Sequence, residues 1–137
     1  MSIGTILGIA GSALSAQAQR ITLIAQNLAN ADSVASPEGG PYQRRVPVFQ
    51  ASPVAGADGS SGLGVTLAAV LRDQAAPKAM YDPSNPYADA EGIVREPAVN
   101  QVTEMVDMMQ AARSYQANLS IVETARTAAM DTVNLLK

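Results

Sequence analysis

All eight prolines of this chain, and seven of its ten glycines, lie between Pro37 and Pro97. Confining the strongest helix breakers to the centre leaves two alanine-rich flanks interrupted only by Gly4, Gly8 and Gly11. The layout this dictates is helix, irregular centre, helix. The expected class is therefore α+β, with long N- and C-terminal helices packing as a coiled-coil-like pair around a small β-rich, Gly/Pro-rich middle module. The expected division is 1–33 for an N-terminal core helix, 34–98 for the middle module with an extended strap, and 99–137 for a C-terminal core helix. Five aromatic residues and no tryptophan allow that module only a small core.

Spacing supports the two helices. Ile3, Leu7, Ala10, Leu14, Gln17, Ile21, Ile24, Leu28 and Ala31 follow one another at steps of four and three, and eight of these nine are apolar. The C-terminal flank repeats the heptad pattern at Met105, Met108, Ala112, Tyr115, Leu119, Val122, Arg126, Ala129, Val133 and Leu136. At the rise of an α-helix these flanks run to roughly 40 Å and 55 Å, well beyond an ordinary globular helix.

Two such seams either close on each other as a hairpin within one molecule or are covered by neighbouring molecules. The remaining faces favour neighbours. Arg20 is the only charged side chain among the first 31 residues, and the outer face carries Ser2, Thr5, Ser12, Ser15, Gln19, Thr22, Gln26 and Asn27 between alanines and glycines. Small uncharged residues permit close approach and exchange hydrogen bonds without burying charge. Because Ala10 and Ala31 put small side chains in the first seam and the glycines each cost about 1 kcal/mol of helicity, one pair of these helices is marginal. The ends are accordingly expected to order fully on assembly.

In the middle, VPVF (46–49), GVTLAAVL (64–71) and KAMY (78–81) read as short strands. ASPVAGADGSSGLG (51–64) reads as a variable loop, and Gly39 and Gly40 as a positive-φ turn. Pro83 and Pro86 restrict DPSNPYADAEG (82–92) to extended and turn conformations, with Asx-turns at Asp82 and Asn85, a stiff strap leading into the last helix. Asn30 is placed to terminate the first helix, and Asn27 to bond either the other helix or a neighbour. Gln17 and Arg126 interrupt the seams, where they either fix register or face water. Arg44 and Arg45 read as a salt-bridged strand flank or as contacts to acidic residues of an adjacent subunit.

Composition excludes much chemistry. With no His and no Cys, histidine or thiolate metal sites and Ser-His-Asp or Cys-His catalysis are impossible, and no cofactor is implied. The oxygen-rich strap lacks the glycine and the terminal acid of a calcium loop. Glu104 and Asp107 are one turn apart without an aromatic cleft for a glycan, so no enzyme is expected. A net charge of −3 gives no nucleic-acid footprint. The first 31 residues lack the charged n-region of a signal peptide and are too polar to span a bilayer.

AQNLANADS (25–33), SPEGGPYQRRVPVF (36–49), DPSNPYADAEGIV (82–94) and EMVDMMQAARSYQAN (104–118) together resemble the axial, rod and hook, proteins of the bacterial flagellum, most closely its proximal-rod subunits. The resemblance implies a structural subunit that polymerises through its terminal helices into a hollow, torque-transmitting shaft. It implies as partners other copies of the chain, other rod subunits, rod-base and membrane-ring components, and the flagellar type III export apparatus. It further implies export without a cleaved signal peptide and residence in the basal body within the periplasm. The subunit-packing residues are then expected to be Leu7, Leu14, Ile21, Ile24, Asn27, Leu28, Asn30, Met105, Met108, Tyr115, Leu119, Val122, Val133 and Leu136. Arg44, Arg45, Gln17 and Arg126 are candidates for polar contacts between subunits.

Overall fold

The computed structural model describes residues 3–34, 39–56 and 59–135; Ser2 and Leu136 lie outside the described residues. In chain order the elements are α1 (Ile3–Ala29), β1 (Arg45–Ala55), β2 (Ser61–Arg72), β3 (Lys78–Tyr81), β4 (Ile93–Glu96) and α2 (Gln101–Leu135). The strands form two separate antiparallel pairs, β1 with β2 and β3 with β4.

Local chemistry sets the helix ends. At the end of α1 the backbone N and Nδ2 of Asn30 both donate to the Gln26 carbonyl, at 3.2 and 2.8 Å. Asn100 caps α2, its Oδ1 accepting the backbone N–H groups of Val102 and Thr103. The helices run antiparallel: along α2, Gln101 reaches Asp32, Glu104 reaches Asn27 and Asp107 reaches Arg20.

The seam of α2 departs from its expected course. Met108, Tyr115, Val122 and Ala129 are half-buried, as the heptad requires, but Met105, Leu119, Arg126 and Val133 are exposed. The residue preceding each of the first three turns inward instead, so the inner line is Glu104, Met108, Ala111, Tyr115, Asn118, Val122, Ala125 and Ala129. Steps of four and three are kept in the opposite order. Hydrophobicity favoured the larger Met105 and Leu119, whereas close helix packing takes the small Ala111 and Ala125, and polar partners take Glu104.

α1 lies between two partners, α2 on one side and the β1–β2 ribbon on the other. Part of the polar face expected to meet neighbours is therefore covered from within the chain. Thr5 is buried with its hydroxyl 2.5 Å from that of Ser60, and Ser12 Oγ accepts the Val65 N–H at 3.0 Å. Glycine makes this approach possible. A Cβ at Gly8 would stand 2.6 Å from Val54 Cγ1, and one at Gly64 would stand 2.5 Å from Ser12 Oγ. Gly8 thus offsets its helical cost by admitting the ribbon.

The ribbon also revises the middle. β1 runs on to Ala55 and β2 starts at Ser61, so the segment expected to be a variable loop is mostly paired strand, with a register shift between Val48 and Phe49. Val65 turns its N–H away from β1, and so does its partner Ala51 in the antiparallel ladder. Pro53, two residues on, shares that outward parity and places its missing donor at the open edge.

The presumed strap is the loop of a second hairpin. β3 pairs with β4, a strand the sequence did not disclose, from Lys78↔Glu96 at the base to Tyr81↔Ile93 at the tip. The Asx-turns at Asp82 and Asn85 are present, accepting the Ser84 and Tyr87 N–H groups at 3.2 and 3.0 Å. Asp89 adds another, accepting from Glu91 and Ile93. Val94, Pro97 and Val99 are buried in and just after β4, and Leu23, Ile24 and Ala31 towards and just beyond the end of α1.

Gly64→Ala should insert a methyl group into the helix–ribbon contact and destabilise the fold by about 1–3 kcal/mol. Denaturation by circular dichroism measures this, and faster amide exchange at Val65 locates it.

Candidate functional site: a buried polar joint

Two polar side chains at the convergence of the helices are almost wholly removed from water: Asn27 near the end of α1 and Glu104 in the first turn of α2, each 1% exposed. Such groups are tolerated only when their hydrogen-bonding capacity is met. Asn27 meets all of it. Its Nδ2 donates to the Arg45 carbonyl and to Glu104 Oε2, both at 3.0 Å. Its Oδ1 accepts the Arg45 N–H at 2.8 Å and the Tyr42 hydroxyl at 2.9 Å. The amide engages both the N–H and the C=O of Arg45, as a neighbouring strand would, and thereby fixes where β1 begins.

The other carboxylate oxygen of Glu104 accepts Arg44 Nε at 2.6 Å. Arg44 Nη2 lies 3.8 Å from Asp107 Oδ2, and Arg20 Nη2 lies 3.8 Å from Asp107 Oδ1, extending the chain of charges outward along both helices. Arg45 Nη1 donates to Gln26 Oε1 at 3.2 Å. The turn that delivers Tyr42, Arg44 and Arg45 opens with Gly39 and Gly40 at φ of 80° and 87°, the left-handed region expected for them. Burial holds the Tyr42 phenol above its ordinary pKa, with Arg45 opposing and Glu104 reinforcing the shift.

This joint draws together Asn27, Arg44 and Arg45: within the chain Asn27 bonds across to Glu104 of α2, Arg44 pairs with the same carboxylate, and Arg45 bonds Gln26. Asn30 stays at the helix end. Gln17 is half-buried further along α1, its Oε1 enclosed without a hydrogen-bond partner among the described residues, and Arg126 is exposed. Leu7, Leu14, Ile21 and Leu28 are half-buried along α1, and Ile24 is buried. Sequence reasoning had weighed Glu104 and Asp107 only as catalytic acids. Their signal was an acidic pair entering a seam opposite an Arg-Arg pair.

Chemically the arrangement is a clamp. Glu104 is sealed and ion-paired, so it cannot reach a substrate, and no group of three or more His, Cys, Asp or Glu among the described residues could hold a metal. No helix among them is long and apolar enough to cross a membrane.

Asn27 and Glu104 fall in separately recognisable stretches, with Tyr42, Arg44 and Arg45 between them. Residues 7–35 match the family described as flagella basal body rod protein, and residues 90–135 match the C-terminal family of flagellar basal body rod FlgEFG proteins. Over 135 residues, and 98% of both chains, the sequence is 47% identical to the flagellar basal-body rod protein FlgC of Escherichia coli O6:H1. The chain belongs to the flagellar basal-body rod proteins. The FlgC of Salmonella typhimurium is likewise 47% identical across 98% of each chain, and that of Buchnera aphidicola from Schizaphis graminum 39% identical across the same share. These are structural proteins, which agrees with a centre built to hold segments together and unable to admit a substrate.

Two predictions follow from the geometry. Arg44→Met should destabilise by about 3–5 kcal/mol by leaving Glu104 buried without its cation, while Arg44→Met combined with Glu104→Met should recover much of the loss in urea denaturation. Because the Tyr42 pKa is raised on folding, its contribution is complete below about pH 10, the unfolded phenol's range, and is lost as pH rises further. Tyr42→Phe should remove that alkaline component from a stability–pH curve.

Proposed function

We propose that the chain is a structural subunit of the proximal flagellar rod, polymerising through α1 and α2 into a hollow shaft that transmits torque. The observation that carries this reading is the outer face of α2. Val102, Met105, Val106, Met109, Leu119, Ile121, Met130 and Val133 are all exposed on it, a concentration of large apolar side chains in contact with water that marks an interaction surface. α1 has two partners inside the chain, and α2 has only one, so the open side of α2 is the principal polymerisation surface. Met105, Leu119 and Val133, outside the intrachain seam, are the strongest candidates for packing between subunits. Leu7, Leu14, Ile21, Leu28, Met108, Tyr115 and Val122 serve the pairing that presents them.

In this reading the middle module, 34–98, is displayed outside a tube formed by the flanking segments 1–33 and 99–137. The partners are further copies, other rod subunits, and components of the rod base and surrounding membrane rings. The chain passes unfolded through the flagellar type III export apparatus and assembles in the periplasmic part of the basal body. A soluble coiled-coil adaptor would be stable as a small oligomer, whereas a rod subunit orders its ends fully only on incorporation.

Leu119→Asp tests the reading on a residue that is 41% exposed in the isolated fold. The variant should fold and be exported normally, yet fail to enter basal bodies, with motility reduced by at least about tenfold. Normal incorporation of this variant would remove α2 from the assembly surface.

A further inference from the structure

The side of α2 turned away from α1 carries a heptad line of its own. From Val102, alternating steps of four and three lead through Val106, Met109 and Arg113 to Asn134, and every residue on the line is exposed. Such spacing is that of a two-stranded coiled coil, in which each position takes a counterpart from a facing helix. α1 packs on the opposite side of α2, so the counterpart comes from another molecule.

The order of residues along the line says which molecule. Val102, Val106 and Met109 stand towards one end and Met130 towards the other, while Arg113 and Glu123 lie equally far on either side of position 118. Neither of these two forms an ion pair among the described residues. Two copies of α2 packed antiparallel about position 118 place Arg113 opposite the partner's Glu123 on both sides of the centre. The same register places Val106 opposite the partner's Met130. A parallel pair would instead set Arg113 against Arg113 and Glu123 against Glu123. Sliding the antiparallel pair by one heptad in either direction leaves Arg113 facing the partner's Gln116 or the partner's Met130. Charge thus selects one direction and one register.

The flank of the line agrees. Met105, Leu119 and Val133 are exposed beside it at intervals of two heptads, with Leu119 in the middle. In the antiparallel register Leu119 meets the partner's Leu119 at the twofold axis, and Met105 meets the partner's Val133. Of the large apolar residues exposed on α2, Ile121 and Leu135 alone stay outside the contact.

We propose that the free chain pairs with a second copy of itself through the outer face of α2, as an antiparallel twofold dimer held in register by two Arg113–Glu123 ion pairs. A contact that uses the same patch on both copies closes on itself and adds no third. Arg113, Gln116, Ser120 and Glu123 occupy the middle of the seam, and polar groups there fix register at a cost in strength, so the dimer is reversible. It covers the face that the rod reading gives to assembly. A twofold contact has no direction, whereas a shaft has one, so the dimer is a capped form of the free chain that opens before incorporation. This pairing is a property of the chain by itself and stands apart from the rod reading.

Sedimentation equilibrium of the purified full chain, at concentrations up to about 0.5 mM, should show a mass rising from 14.1 kDa towards twice that value and no further. Arg113→Glu and Glu123→Arg should each weaken dimerisation at least about tenfold, and the two together in one chain should restore it. Because the chain has no cysteine, introduced thiols report the register without background. With oxidised glutathione, Leu119→Cys should give a disulfide-linked dimer and Ile121→Cys should not. Met105→Cys should link only when mixed with Val133→Cys. A monomer mass throughout, species larger than a dimer, a double charge variant no better than its singles, or a link formed by Met105→Cys alone each overturns the proposal.

Discussion

A carboxylate taken out of water tolerates very few arrangements, and that intolerance organises this molecule. Glu104 accepts Arg44 on one oxygen and Asn27 on the other, so a single buried group ties the start of α2 to the end of α1 and to the turn entering β1. These three segments are far apart in sequence, and none could shift by one residue without leaving the charge uncompensated. The net energy of such a cluster is small, because desolvation consumes most of the Coulombic gain. Its effect is specificity: helix register and the origin of the ribbon are set together.

From that joint outward, the two helices acquire different tasks. α1 is served on one side by α2 and on the other by the ribbon, which glycines at 8, 62 and 64 allow to lie unusually close. α2 receives α1 along an inner line of small and polar residues, and leaves its larger side chains outside. The chain is thus asymmetric, with an internally satisfied helix and an externally directed one. A symmetric pair of heptad helices would have hidden its apolar residues and ended association there.

Much of this was legible in advance. The placement of breakers announced two long helices around a β-containing centre, and Asn30, the glycine pair and the Asx-turns took up conformations their own chemistry requires. Met108, Tyr115, Val122 and Ala129 lie on the inner line because the expected seam and the observed one have these positions in common. What escaped was where hydrophobicity ceased to mark the interior. Ala111, Asn118 and Ala125 are inside because they are small or polar, while Met105 and Leu119 are outside despite their size. The first residues of β2 were concealed for a related reason: Gly62 and Gly64 face α1 where no side chain fits, which erased the alternation that marks a strand. β4 spans only Ile93–Glu96 and was hidden within a turn-rich stretch. Glu104 was noticed for its charge and assigned to the wrong chemistry, since sequence alone does not show that an acid will be enclosed.

The Ser12 hydroxyl on Val65 and the proline at position 53 have a consequence of their own. A lone two-stranded ribbon offers strangers two unsatisfied flanks, the template from which cross-β fibres grow. Here one flank is occupied at Val65 by a serine from α1, and the other is interrupted by a residue that has no amide hydrogen to give. When many copies crowd together before they are built into a larger structure, the ribbon therefore resists fibril growth, and association is left to surfaces that come to an orderly end.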